Sequence, residues 1–517
     1  MEPPPEKVEL KDWLAVFFAA LGAFMAVLDI QITNSSLADI QGALGASLDE
    51  GTWISTSYLV AEIIVIPLTA WLAQVFSAKR YMLVNVALFV FFSMCCAWAT
   101  TLPAMIVFRA LQGFTGGVMI PMAFNVILSN LPMSKRPQGM ALFSVSATFA
   151  PAIGPSLGGW ITENWGWEHI FYMNLLPGLA VLAGLFFTLK SQKMQLNLLK
   201  EGDWVGIFTM ATGLSCLEVV LEEGNRKDWF GSPLIMRLGI ISALSLIVFV
   251  IRELTAKKPL VQLRLLAQRN FGIASLANMT VGAGLYGIIY LVPLYLAQVQ
   301  GYNAMQIGQV LMWFGILQLF VTPWVPKLMS MIDNRIMILV GLSIFALSCF
   351  RTAVMTVNFS GEQLISSQFL RAFGLPLVFI PLSSLATAGL DKKQAPSASS
   401  LFNMLRNLGG SLGIALMATL LTQRQQLHSA RIGESVTIYD PQVQERINML
   451  TQAMVARGAD LVTAKNQALQ AISHSIRQQS TIMAFNDCFY LFGFVLLAGG
   501  LVILLARKSS TVDMSAH

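Results

Sequence analysis

Charged residues are scarce in this chain: Asp, Glu, Lys and Arg make up 12% of its 517 residues, where a soluble domain carries about 25%. A soluble fold with 55% hydrophobic residues would expose very large apolar patches. The net charge is only +6, and it comes from residues that flank apolar stretches rather than from a stripe that would bind nucleic acid. The composition therefore argues against a soluble or nucleic-acid-binding protein and favours a membrane protein.

Cysteine and histidine are also rare, with five and four residues respectively. The cysteines lie in or beside apolar stretches without metal-ligand spacing, so neither a disulfide framework nor a metal site is expected. The chain lacks the Gly-x-x-x-x-Gly-Lys-Ser/Thr sequence that cradles nucleotide phosphates. We therefore expect no cofactor, no enzyme activity and no ATP-driven step in this chain.

Long apolar stretches dominate the sequence, and about fourteen of them can cross a hydrocarbon core, which needs roughly 20 residues of helix. The predicted spans are 13–36, 53–75, 81–99, 103–129, 138–161, 168–190, 204–222, 234–252, 271–296, 305–325, 335–355, 364–388, 397–422 and 485–506. The amino-terminal residues show no basic region and no small-residue cleavage site follows the first span, so a removable signal peptide is not expected.

Loop charge predicts the orientation of these spans. One set of connections contains most of the basic residues, which are Lys79, Arg80, Lys135, Arg136, Lys190, Lys193, Lys200, Lys257, Lys258, Arg264, Arg269, Lys327, Arg335, Lys392, Lys393, Arg507 and Lys508. Among the opposite short loops, only 223–233 has a basic pair. By the positive-inside rule, both termini, 1–12 and 507–517, are expected in the cytoplasm.

An internal repeat divides the spans into two halves. Residues 154–158, with the sequence Gly-Pro-Ser-Leu-Gly, return eight spans later as Gly-Gly-Ser-Leu-Gly at 409–413. A second similarity is also eight spans apart. Arg109 in the fourth span and Arg371 in the twelfth are each followed by a Gly and then by a Pro. This spacing fits two homologous six-span halves with two extra helices between them. Parallel repeats of this kind are typical of transporters, whose substrate path lies at the repeat interface.

The predicted organisation thus has two six-helix bundles, two inserted helices and one large extramembrane piece, with bounds 1–12, 13–190, 204–252, 271–506 and 507–517, and the extramembrane piece at 423–484. Within that piece 434–441 is expected to be irregular, whereas 442–479 is rich in helix-forming residues. It is either a solvated loop or a periplasmic docking surface, since helix of this length exceeds what joining two spans needs.

Three charged residues lie inside the predicted spans at similar depth, namely Asp29, Glu62 and Arg109. A charge at the bilayer centre costs about 3 kcal/mol on insertion scales, so such residues face a cavity or a partner. Movement of Arg109 towards or away from either acid would change how readily the carboxyl group binds a proton. We interpret the three as proton-coupling residues. The alternatives are a structural ion pair for Asp29 and cation binding for Glu62.

Polar and aromatic residues on several spans are candidates for a substrate cavity. Amphipathic substrates need an apolar, adaptable pocket with few polar anchors, and 26 methionines add conformable surface. The candidates are Asn34, Tyr58, Gln112, Tyr286, Tyr290, Trp313, Phe314, Gln318, Arg371 and Arg406. Glu218, about one turn from Glu222 and Glu223, is instead expected to extend towards the membrane interface.

Several motifs resemble those of a known family. The sequence A-x-x-x-G-P-x-x-G-G at 150–159 is similar to the antiporter motif of the major facilitator superfamily, and its motif residues are Gly154, Pro155, Gly158 and Gly159. Residues 109–117 resemble the fourth-helix motif of that superfamily. Residues 28–34 and 167–178 resemble the first-helix motif and the sixth-helix entry of its fourteen-span drug:proton antiporters. With the long segment before the last span, the resemblance is to EmrB-type efflux pumps.

The resemblance implies a major facilitator superfamily fold and an antiporter that uses the proton gradient to export amphipathic or hydrophobic drugs across the bacterial inner membrane. It also implies an EmrA-type periplasmic membrane-fusion adaptor and a TolC-type outer-membrane channel, with 423–484 as the docking element. One departure concerns the gate sequence after the second span, where Gln74 replaces the acidic residue of the family. Gating through an Asp charge relay is therefore not expected at this position.

Two other functions fit parts of the sequence. The first is a dedicated exporter of one metabolite, such as a siderophore, a fatty acid or an antibiotic. The second, from a different class, is a membrane sensor or scaffold that transports nothing. The intramembrane charges argue against the second function, because nothing in a scaffold would offset the cost of inserting them.

Overall fold

The computed structural model describes residues 8–256, 259–388, 390, 394–437 and 439–507. Within these ranges every regular element is a helix, and fourteen helices are long and apolar enough to cross a membrane. The prediction of an all-α membrane protein with fourteen spans is confirmed. The helices are α1 Leu10–Ser35, α2 Trp53–Phe76, α3 Ala78–Ala97, α4 Leu102–Asn130, α5 Arg136–Trp165, α6 His169–Thr188, α7 Trp204–Glu223, α8 Pro233–Thr255, α9 Arg269–Gln298, α10 Ala304–Met329, α11 Asn334–Thr352, α12 Gly361–Thr387, α13 Pro396–Ser435 and α14 Leu461–Ile503.

Parts of the orientation prediction concern residues outside the described ranges. Both predicted tails fall there in part, at 1–7 and 508–517. The basic loop residues outside the described ranges are Lys257, Lys258, Lys392, Lys393 and Lys508.

The last two spanning helices are much longer than the sequence predicts. Helix α13 continues for about three turns beyond the predicted end at 422, and α14 begins far before the predicted start at 485. The added turns are polar helix, so a hydropathy pattern detects only the membrane-embedded part of each helix. With the separate helix Pro441–Val455, these turns project from the bundle. We call residues 423–484 the helical extension, and the membrane face from which it projects the extension side.

Side-chain contacts hold the base of the helical extension together. Gln425 Nε2 on α13 donates to Thr481 Oγ1 on α14 at 2.8 Å, and His428 Nε2 lies 2.9 Å from Asp487 Oδ2. At its far end Asp460 accepts hydrogen bonds from the first backbone N–H groups of α14. Hydrogen bonding from Thr463 lowers the pKa of Asp460, so this cap remains ionised in mildly acidic solution.

The helices associate in two groups that meet along matched contacts. Helices α1–α6 pack mainly among themselves, and so do α9–α14. Between the groups, α5 packs on α10, and α2 packs on α13. In the predicted repeat α2 corresponds to α10 and α5 to α13, so these two contacts are equivalent. The inserted helices α7 and α8 pack on each other, and α7 also lies against both α2 and α13.

Glycines allow α5 to approach its neighbours closely. Gly154 and Gly158 face α1, and Gly159 faces α10. A Cβ atom added at Gly158 would lie 2.2 Å from Ser35 Oγ, and one at Gly159 would lie 2.7 Å from the Cβ atom of Ala304. Neither position has room for a side chain, so the small residues let the backbones pack against each other.

The same arrangement occurs in the second half. A Cβ atom added at Gly409 of α13 would lie 2.1 Å from the carbonyl oxygen of Met279 on α9, and one at Gly413 would lie 2.5 Å from that of Ala283. The glycines of α13 therefore face α9 as those of α5 face α1. This equivalence supports the repeat, while the segment boundaries proposed from sequence stay a prediction.

Candidate functional site

Asp29 and Arg109 form an ion pair in the core of the first helix group. Arg109 Nη1 lies 2.6 Å from Asp29 Oδ2, and both side chains are 1% exposed. The other carboxylate oxygen accepts hydrogen bonds from Gln112 Nε2 at 3.0 Å and from Asn174 Nδ2 at 2.6 Å. Donors from α4 and α6 therefore converge on one acid of α1. The motif around Asn174 was visible in the sequence, but its contact with Asp29 was not.

The rest of the Arg109 side chain is also held in place. Its Nε atom donates to the carbonyl oxygen of Ile54 at 3.3 Å, and its guanidinium lies 4.3 Å from the centre of the Tyr58 ring. Nη1 donates a second hydrogen bond, to Gln112 Oε1 at 2.8 Å. Tyr58 and Gln112 thus belong to this closed cluster. Both side chains contact Arg109 in this structure, and their role in a substrate cavity stays a prediction.

A cavity of about 310 Å³ lies between the two helix groups. It reaches the extension side, since its wall includes Thr52 near the start of α2 and Arg226 after α7. Helices α1, α2, α7, α9 and α13 provide most of the lining. Many of the lining side chains are aliphatic, so the cavity matches the size and apolar character of a small-molecule site. Among the described residues there is no group of three or more His, Cys, Asp or Glu that could hold a metal ion.

Several residues predicted for function do line this cavity. Glu62, Asn34, Tyr286 and Tyr290 all contribute to the wall. Asn34 Oδ1 accepts a hydrogen bond from Ser55 Oγ at 2.6 Å. The structure thus places these residues where a ligand could touch them, and their roles in binding stay a prediction.

Other candidates lie away from the cavity wall. Trp313 is 39% exposed and packs on the ring of Phe369 at the outer surface of its bundle. Phe314, Gln318 and Arg371 are buried but do not line the cavity. Their predicted role in binding a substrate therefore stays a prediction. The sequence shows which residues lie on a helix, but the rotation of that helix within the bundle decides which of them face the interface.

Arg406 lies directly behind the cavity wall. Its side chain is buried, and its guanidinium is 5.5 Å from the centre of the Phe379 ring. It does not line the cavity as predicted, but the next residue, Asn407, does. Asn407 Nδ2 is 3.5 Å from Glu62 Oε1, and Arg406 acts electrostatically on the same carboxyl group. Glu62 therefore connects the two helix groups across the interface.

The inserted helix α7 contributes acids that were not predicted for this site. Glu218, Glu222 and Glu223 all line the cavity. Glu218 is 2% exposed, and its Oε1 atom accepts a hydrogen bond from Ser411 Oγ at 2.8 Å. The prediction that Glu218 extends to the membrane interface is wrong, because α7 packs between α2 and α13. The sequence did contain an indication of this arrangement. Glu218 and Glu222 are about one turn apart, which places both on one face of an apolar helix.

Comparison with known proteins agrees with this architecture. The family model of the Major Facilitator Superfamily matches residues 19–414. The colistin resistance protein EmrB of Acinetobacter baumannii is 32% identical over 92% of both chains. The multidrug export protein EmrB of Haemophilus influenzae is 33% identical over 94% of both chains.

Solved structures show the same fold at much lower identity. The proton:xylose symporter XylE superposes with a TM-score of 0.61 at 12% identity, over 96% of this chain and 95% of that chain. The resemblance that the glycine and arginine motifs suggest is therefore confirmed, together with the fold of two six-helix bundles and two inserted helices. This multi-pass membrane protein is a member of the Major Facilitator Superfamily.

Proposed function

We propose that this protein is a proton-coupled antiporter that exports amphipathic or hydrophobic compounds across a bacterial inner membrane. The observation that carries the proposal is a fully buried Asp29–Arg109 pair beside a mostly apolar cavity that contains a second acid, Glu62. The names of the EmrB relatives support export of drugs. A secondary transporter needs such a pairing of titratable groups with a substrate cavity, because proton binding must change the energy of one conformation more than that of the other.

Helix α4 offers a physical link between the two acids. Arg109 on this helix pairs with Asp29, and two turns later Gly117 touches Glu62, where an added Cβ atom would lie 2.9 Å from Glu62 Cγ. Protonation of Asp29 would remove the electrostatic attraction that holds Arg109 in place. A shift of α4 would then change the packing of Gly117 against Glu62. We infer that Asp29 controls the conformation, whereas Glu62 meets protons or substrate in the cavity.

Proton release by the reconstituted protein tests this mechanism. The compound is first selected in a growth-inhibition panel, using a pump-deficient host with and without the protein. Addition of that compound should release protons from the parent protein, and an Asp29→Asn, Glu62→Gln double variant should release none. Glu163→Gln is the matched control, since Glu163 is an exposed acid at the extension-side end of α5. Undiminished release from the double variant would reject these proton sites.

We further propose that both termini are cytoplasmic and that the helical extension lies in the periplasm, where it docks an EmrA-type adaptor leading to a TolC-type channel. Loop charge supports this orientation. The far end of the extension exposes two neighbouring apolar side chains, with exposed fractions of 71% for Leu461 and 72% for Val462. Apolar groups exposed together in this way suit contact with a partner protein.

A further inference from the structure

We propose that the cavity on the extension side binds lipophilic organic cations, and that the inserted helix α7 supplies the anionic anchor through Glu218 and Glu222. The proposal deepens the export function stated above, on which its physiological meaning rests. It concerns binding, so it can be tested without a proton gradient.

The first observation is an unused acceptor in the wall of the cavity. Glu218 is 2% exposed and lines the cavity. Its Oε1 atom is bonded by Ser411, but among the described residues its buried Oε2 atom has no hydrogen-bond partner. A buried acceptor without a partner is unfavourable. A bound cation would offset this cost.

The second observation is the charge balance of the lining. Glu222, one turn after Glu218, also lines the cavity and is half-buried. No described residue forms a hydrogen bond or ion pair with it. The neighbouring Glu223 is different, because it pairs with Arg226 and accepts a hydrogen bond from Thr52. Arg226 is the only Lys or Arg among the described lining residues, so Glu218 and Glu222 remain available to a ligand.

The wall opposite α7 suits the rest of such a ligand. Tyr286 and Tyr290 of α9 line the cavity about one turn apart. Tyr290 lies within electrostatic range of Glu222, and Tyr286 within range of Glu62. Ring faces next to carboxylates favour a cation through cation–π attraction. The aliphatic lining from α1, α2 and α13 would cover the apolar groups of the ligand.

The cationic preference depends on the inserted helix. Helices α9 and α13 contribute Tyr, Asn, Gly, Ser and Ile to the lining but no acid. Among the described lining residues outside α7, Glu62 is the one acid, and the positive charge of Arg406 acts on its carboxyl group. Helix α7 therefore contributes three of the four acids among the described lining residues. In a low-dielectric site, such a charge pattern attracts a cation and repels an anion of the same shape.

The test uses two probes of nearly the same shape and opposite charge, tetraphenylphosphonium and tetraphenylborate. Equilibrium binding to the full-length protein is measured in detergent. Because the probes partition differently into detergent, each is compared only with itself across variants. Glu218→Gln should weaken tetraphenylphosphonium binding about tenfold or more and leave tetraphenylborate binding unchanged or tighter. Glu222→Gln should act in the same direction by severalfold. Glu163→Gln, outside the cavity, should change neither.

Two results would overturn the proposal. One is unchanged tetraphenylphosphonium binding in both cavity variants, and the other is equal weakening of both probes, which would indicate a damaged fold. Should Glu218→Gln fail to fold, Glu222→Gln decides alone. If tetraphenylphosphonium binding depends on Glu218 but no compound releases protons, the export mechanism is rejected and the cation site is supported. If export is coupled to protons but tetraphenylphosphonium binding does not depend on Glu218 or Glu222, the cation site is rejected and the export mechanism is supported.

Discussion

The Asp29 carboxylate illustrates how this protein keeps a charge inside a membrane. Three donors reach it, from Arg109, Gln112 and Asn174. Taking such an ion pair out of water is costly, and its attraction compensates only when the remaining hydrogen-bonding positions are filled. Here they are filled, which explains how two charges persist at 1% exposure.

Removing one member of the pair should therefore destabilise the protein strongly. Arg109→Leu leaves a buried carboxylate without its cation and should lower the free energy of unfolding by about 3 kcal/mol. The Asp29→Leu, Arg109→Leu double variant should lose clearly less free energy of unfolding than the two single variants lose in sum. A double-mutant cycle of unfolding in detergent mixtures measures this difference.

The control for this cycle is the half-exposed pair of Arg424 and Asp487, whose atoms are 3.6 Å apart. Arg424→Leu should lower the free energy of unfolding by no more than about 1 kcal/mol. Additive effects of Asp29→Leu and Arg109→Leu would contradict the idea that the two side chains act as a unit.

The gate region at the end of α2 has an unusual backbone conformation. Gln74, which replaces the acid of the motif, is exposed near the end of α2. Three residues later Ser77 adopts a φ of 70°, a conformation that favours glycine. At this connection Lys79 Nζ donates to the carbonyl oxygen of Phe186 at 2.5 Å. A contact from α3 to α6 is therefore present near the position where the family places its acidic gate residue.

At the scale of helices, α5 has little room to change. It lies between α1 and α10, and its glycines leave no space for a side chain on either face. The motif that identifies the antiporter family is therefore a packing surface in this protein. Movement of one half against the other would change the contact of α5 with α10, where Gly159 faces Ala304.

Gly158→Val should separate α5 from α1. Its Cβ atom would meet the carbonyl oxygen of Ile32 at 2.9 Å in addition to Ser35 Oγ, and backbone cannot move aside as a flexible side chain does. We expect the free energy of unfolding to fall by about 2 kcal/mol, as measured by thermal unfolding in detergent. Transport, measured as uptake into vesicles, should also be reduced.

Gly433→Ala is the matched control, since Gly433 is also helical but has nothing within 4 Å of an added Cβ atom. It should be neutral or slightly stabilising, because alanine favours helix by about 1 kcal/mol over glycine. Similar damage from both substitutions would contradict the packing argument.

At the scale of the whole molecule, the helical extension can be separated from the transport bundle. The contacts of Gln425 with Thr481 and of His428 with Asp487 lie at its base. Deletion of 442–479 keeps these contacts and removes the exposed end with Leu461 and Val462. The deletion leaves residues 436–441 to connect the two helices, at up to roughly 3.3 Å per extended residue.

This deletion should abolish capture of an EmrA-type adaptor and leave substrate uptake into inverted vesicles within about twofold of the parent. A finer variant, Leu461→Ser with Val462→Ser, should weaken capture without shortening the chain, since it removes exposed apolar area. Adaptor capture that survives the deletion would show that the extension is not the docking element.

The sequence alone determined the number of spans and the repeat, because hydropathy is a local property and a bilayer demands about 20 apolar residues per crossing. It also located Asp29, Glu62 and Arg109, since a charge in an apolar stretch is conspicuous wherever the helix packs. Hydropathy did not show where α13 and α14 end beyond the bilayer, because polar helix carries no hydropathy signal. The helix-forming residues of 442–479 did predict helix there, and the structure has helices at Pro441–Val455 and from Leu461.

Only the tertiary structure decided which side chains meet. Tyr58 and Tyr286 are indistinguishable in the sequence, yet one lies over Arg109 and the other lines the cavity. The same holds for Glu218, which faces the cavity because α7 packs between α2 and α13. Whether a residue faces lipid, core or cavity depends on the rotation of its helix and on its neighbours. Those quantities arise from contacts between distant parts of the chain, so no local pattern encodes them.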